Sequence, residues 1–258
     1  MPFYTATILT AVLMTVLSVA GLVAGSTLYP TEEQYQTFVP NDVVNLAVGL
    51  PILAVSLWWT RRGKLVGLLC WPGALIFVLY NYLAYTFGSQ PSWAFLGYLS
   101  LVVLSLYTVG GLFASMDMAW VKARLAGRFP EKLSGGVMVA FGVLFLGRVL
   151  LVFGGASGVE TELPLGDFVS GISDFFISPA MMIGGVQLWR GKDLGYAAGL
   201  GLLFQASMLF VGLIVFLLLQ PALTGAAFAP VDVIVVAVMG VVCSIPFGLY
   251  LRAAIRAE

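Results

Sequence analysis

The sequence predicts an all-α fold, a polytopic integral membrane bundle of about eight transmembrane helices. Three observations carry this. Of 258 residues, 60% are apolar and 9% charged, against roughly a quarter charged in soluble domains. Apolar runs of about 20 residues recur along the whole chain. The basic residues fall into alternate connections between those runs. A water-soluble enzyme of this composition would lack the polar surface to cover itself. A single transmembrane domain, 1–258, holds all the spans, with candidate halves 1–130 and 131–258.

The spans are expected at 6–28, 40–60, 65–87, 94–115, 135–155, 168–189, 195–218 and 231–251. Each can cross a hydrocarbon core of about 30 Å at about 1.5 Å per residue. The first follows an n-region with no positive charge, which argues against a cleaved signal peptide. The second ends at Trp58 and Trp59 and is followed by Arg61, Arg62 and Lys64. The third and fourth meet across 88–93, which has no basic residue, and Trp93 marks that boundary. The fifth follows Lys122, Arg124, Arg128 and Lys132; the sixth ends before Arg190 and Lys192; the eighth ends at Arg252 and Arg256. In the connection 116–134, Met116, Trp120, Val121 and Leu125 alternate with Lys122, Arg124 and Arg128. That pattern suits a short interfacial segment beside anionic lipid.

Eleven of the twelve basic residues thus lie on one side, and the twelfth, Arg148, is inside a span. The positive-inside rule then places both termini in the cytoplasm and the protein in the plasma membrane. Glu32, Glu33, Glu160, Glu162 and Asp167 mark the opposite face. At an offset of 128 residues Pro51 matches Pro179, Arg62-Gly63-Lys64 and Gly67 match Arg190-Gly191-Lys192 and Gly195, and Gly73 matches Gly201. Arg124 and Arg128 likewise match Arg252 and Arg256. A 4+4 parallel repeat would produce this, although topology alone also repeats the basic positions.

Polar groups inside the spans mark where function could lie, because each is costly in hydrocarbon. Arg148, in GVLFLGRVLLVFGG, and Asp174, in GISDFFISPAMM, are expected at equal depth on consecutive antiparallel helices, hence as partners. Asn45 and Asn81 come out in the same layer, with Tyr85 on the face of Asn81. Asp42, Asn45, Gly49 and Ser56 form one stripe, and Asp167, Ser170, Asp174, Ser178 and Gly185 another. One reading is a ligand cavity open to the outer face, floored by Arg148, Asp174, Asn45 and Asn81, lined by Tyr85, with Asp42 and Asp232 at its mouth. The other is a buried Arg148–Asp174 pair locking two helices. Pro51, Pro72, Pro179 and Pro246 fit either broken helices or ordinary kinks. Gly21/Gly25 and Gly195/Gly199 fit close packing within the chain and leave oligomerisation open.

Counting removes several chemistries. With no histidine, His-ligated haem, His metal sites and His relays are absent. No cofactor and no metal site is expected. Cys70 and Cys243 lie far apart in apolar runs and read as buried thiols. All four lysines are in connections, which excludes a retinal Schiff base. Zero net charge implies no nucleic-acid partner. The expected partners are membrane lipids and a small-molecule or lipid ligand.

The stretch from Asp42 to Gly88, DVVNLAVGLPILAVSLWWTRRGKLVGLLCWPGALIFVLYNYLAYTFG, resembles a group of prokaryotic multi-pass hypothetical membrane proteins. The resemblance implies a membrane bundle and no activity. The leading expectation is a non-enzymatic protein that binds or transports a small solute or lipid group through an outer-leaflet cavity. The alternatives are a lipid-modifying enzyme using isolated carboxylates, such as Asp174 or Asp42, and a structural or assembly protein.

Overall fold

The computed structural model describes residues 2–156 and 163–258. Glu160 and Glu162, expected on the outer face, lie outside the described residues. Of the described residues, 88% are helical. Among the described residues there is no strand, and eight helices are long and apolar enough to cross a bilayer. In chain order the elements are α1 (Pro2–Val23), α2 (Gly25–Leu28), α3 (Glu32–Val44), a π turn (Asn45–Gly49), α4 (Leu50–Arg61), α5 (Leu65–Gly88), α6 (Trp93–Ser115) and α7 (Met118–Leu125), then α8 (Glu131–Ala156), α9 (Leu165–Trp189), α10 (Asp193–Thr224) and α11 (Pro230–Arg256).

The second span differs most from expectation. It runs continuously from Glu32 to Arg61, not from residue 40. Thr31 caps it: its hydroxyl accepts from the Gln34 amide while the Gln34 side chain accepts from the Thr31 amide. This reciprocal box satisfies orphan N–H groups and turns a polar stretch, which reads as a loop, into helix. Within the span the Leu50 amide reaches back to the Asn45 carbonyl. The wider turn falls just before Pro51, which has no N–H to continue the regular ladder.

α5 is the most buried span, and α10 lies against it. The two backbones meet at glycines: a Cβ on Gly73 would strike the Gly201 carbonyl, and one on Gly201 would press on the Leu69 carbonyl. α8 and α9 touch in the same way at Gly135 and Gly185. Such contacts favour helix association in lipid, where no hydrophobic driving force operates between spans. The peripheral helices turn apolar side chains outward, among them Val12 and Val16 of α1, Leu96 and Leu106 of α6, and Leu150 and Leu151 of α8.

The basic connections gather at one end. Lys64 Nζ bonds Glu258 at 2.7 Å, Lys122 Nζ bonds Asp193 at 3.0 Å, and Arg124 donates to the Ala257 carbonyl at 3.1 Å. The Arg61 guanidinium lies over the Tyr4 ring at 5.3 Å, so both chain ends are at this end too. The turns after α4 and α9 share one backbone form. Gly63 and Gly191 adopt φ of +72° and +64°, which only glycine enters without strain. In each, the following lysine amide bonds five residues back: Lys64 to Trp59 and Lys192 to Gln187.

Candidate functional site

The six expected site residues do not share one cavity. They separate into two polar centres on opposite sides of α5, with Asn81 in neither.

The first centre is built by α1, the segment after α2, α3, α5 and α6. Asp42 is expected at a cavity mouth, but it is 1% exposed. Its Oδ2 accepts from the Tyr29 phenol and its Oδ1 from the Tyr85 phenol, both at 2.8 Å. The Tyr98 and Tyr29 hydroxyls lie 3.4 Å apart, and the Asn45 amide donates to the Tyr85 oxygen at 3.4 Å. Ser18 and Tyr82 pair at 3.2 Å beside them. Rings close the rest: Tyr85 stacks on Phe38 and Tyr82 with centroids 4.5 and 5.1 Å away. Gly21 of α1 backs directly onto the carboxylate, since a Cβ there would collide with Asp42 Oδ2 and the Tyr29 hydroxyl. Thus Asn45 and Tyr85 are buried in a packed carboxylate–phenol network. They line no channel, because phenol rings occupy the space that asparagines were expected to face. Among the described residues no Lys or Arg bonds Asp42. One acceptor in the network, Asn45 Oδ1, has no partner.

The second centre lies between α8, α9 and α5. The expected pair forms: Arg148 Nη1 donates to Asp174 Oδ2 at 3.1 Å. It is not alone. Arg148 Nη2 reaches Asp167 Oδ1 at 2.7 Å, and both nitrogens lie 3.3 Å from the Ser170 hydroxyl. Asp167, Ser170 and Asp174 sit at i, i+3 and i+7, so one guanidinium spans two turns of α9. The other oxygen of Asp174 accepts from the Tyr80 phenol at 2.9 Å. The Arg148 and Asp167 side chains are 37% and 48% exposed, while Asp174 is 7% exposed. The arginine therefore stretches from a buried carboxylate to one at the acidic end of the helix, as long basic side chains do near a membrane boundary.

Asn81 is buried and closes on its own helix, donating to the Phe77 carbonyl at 2.9 Å. Asp232 is exposed in the first turn of α11. The expected cavity residues are thus held by contacts with protein neighbours in separate places. Two cavities, of about 380 and 450 Å³, lie at the basic end.

Sequence reading missed Tyr29 and Tyr98, which look like interfacial aromatics, and Gln205. Gln205 is buried in α10, and among the described residues neither atom of its amide has a partner. Among the described residues no three His, Cys, Asp or Glu side chains gather as a metal site.

No family model, curated protein or solved structure matches the chain. The resemblance of residues 42–88 to prokaryotic multi-pass proteins gains no support from these comparisons.

Proposed function

We propose that this chain is a plasma-membrane protein, both termini cytoplasmic, that binds or carries a small solute or lipid group at its acidic end, through the Arg148 centre. The observation that carries this is the half-exposed Arg148–Asp167 pair. A purely structural lock is normally sealed, whereas this one opens at the surface. Two carboxylates already face one guanidinium, leaving the trio at a formal charge of −1, so a cation or an amine-bearing headgroup suits it better. The enzyme alternative is less well supported, because Asp42 and Asp174 are both buried and already hydrogen-bonded to tyrosines.

Thermal melting of the detergent-purified protein tests the proposal. A small organic cation such as choline should raise Tm saturably, and Asp167→Asn should abolish the rise. Absence of any saturable shift with ammonium, choline or ethanolamine would favour the scaffold reading. One observation supports that second reading: the Arg148 bonds and the Gly135–Gly185 contact both join α8 to α9.

A 4+4 organisation is part of this proposal. Its support is that positions 128 residues apart hold equivalent places. Gly63 and Gly191 form the same turn. Gly67 abuts Trp59 and Thr60 as Gly195 abuts Gln187 and Leu188. Gly73 and Gly201 meet each other where α5 crosses α10. A pseudo-twofold axis along the membrane normal would place the last pair on the axis.

A further inference from the structure

At the basic end, the last turns of α11 and the connection before α8 enclose a groove of about 450 Å³. Leu249, Arg252, Ala253 and Arg256, at i, i+3, i+4 and i+7, form one wall; Arg128, Phe129 and Pro130 form the other. Three arginines line it and no carboxylate does. Neighbouring acids are engaged elsewhere: Glu258 with Lys64, Asp193 with Lys122, and Glu131 with the Gly127 amide. Among the described residues the guanidinium groups of Arg252 and Arg256 have no acceptor. The C-terminal carbonyls of α11 would repel an anion, but Arg124 and Arg128 donate to the Ala257 and Arg256 carbonyls and offset them. The floor is firm. Phe129 stacks on Tyr250 at 3.8 Å, and the Tyr250 hydroxyl donates to the Tyr196 carbonyl at 2.7 Å.

The groove continues into an apolar track. Val238, Val242, Ile245 and Leu249 are all exposed on α11 and lead along the span to the arginines. We propose that this groove is a binding site for one anionic phospholipid, with the phosphodiester between Arg128, Arg252 and Arg256 and an acyl chain along the track. Guanidinium forks match phosphate oxygens in geometry and charge. The track is what selects a lipid over a soluble phosphate. The inference requires only that the chain lies in a bilayer, and it is independent of any ligand at Arg148.

The test is native mass spectrometry of the full chain titrated with phosphatidylglycerol or phosphatidylcholine. One phosphatidylglycerol should be retained in preference to phosphatidylcholine. The double variant R252Q/R256Q should weaken it by about fivefold per arginine removed. The control R61Q/R62Q, at the same end but outside the groove, should leave it unchanged. Should the glutamine pair fail to fold, Arg252→Gln alone reads the single-arginine loss. Equal retention of both lipids, or an equal loss in the control, would overturn the site in favour of diffuse surface charge. Displacement of the lipid by millimolar glycerol phosphate would overturn the lipid assignment in favour of a soluble anion.

Discussion

Asp42 and Asp174 are both carboxylates inside a span, and each accepts a hydrogen bond from a tyrosine of α5, Tyr85 and Tyr80 respectively. Those tyrosines are five residues apart and so point to different sides of α5. Beyond that the two surroundings diverge. Asp42 is enclosed by phenols, rings and the bare backbone of Gly21, with no cation among the described residues. Asp174 shares an arginine with Asp167, and the arginine reaches the surface. A carboxylate in a span can thus be accommodated by neutral donors in a sealed pack or by a counterion that extends to the protein surface. The first arrangement tolerates little change in shape. The second tolerates change wherever water can replace a lost partner.

Four substitutions break or sharpen that contrast. Arg148→Leu should cost most, about 3 kcal/mol, because it leaves the buried Asp174 without its cation. The double change Arg148→Leu with Asp174→Leu should recover much of the loss, since Asp167 can hydrate. A double variant no more stable than the worse single one, by reversible detergent unfolding, would contradict the pairing. Gly21→Ala should follow at about 2 kcal/mol, because its methyl group has no room beside Asp42 and Tyr29. Wild-type stability in that variant would mean the first centre is loose. Next come two matched deletions, each removing a phenol bonded to a carboxylate at under 3 Å. Tyr29→Phe should cost about 1.5 kcal/mol, the low end of the range for a hydrogen bond to a charged group. Tyr80→Phe should cost about 1 kcal/mol, because Asp174 keeps Arg148 and the second centre is nearer to solvent. A larger loss from Tyr80→Phe would reverse the ranking of sealed and open.

The contrast also explains what could be read from the sequence. The eight spans, the segregation of basic residues and the Arg148–Asp174 pair all follow from hydropathy, spacing and depth. Asp167 lay on the right stripe, but nothing in its spacing says that one arginine reaches across two turns. The start of α3 was illegible because Thr31 and Gln34 precede a polar run, and a capping box there competes with a loop reading. The first centre was illegible for a different reason. Its partners come from separate segments, and Tyr29 and Tyr98 become visible as donors only when the helices are assembled. The orphan amide of Gln205 and the oxygen of Asn45 likewise depend on packing.

The central claim is that one polar centre is sealed and the other is open. Cysteine accessibility tests it most directly, because native Cys70 and Cys243 are buried and contribute little background. Ser170, against Arg148, and Asn45, beside Tyr85, are each replaced by cysteine and exposed in intact cells to a membrane-impermeant thiol reagent. Ser170→Cys should label and Asn45→Cys should not. Labelling at 45 with protection at 170 would contradict both the contrast and the ligand site proposed at Arg148.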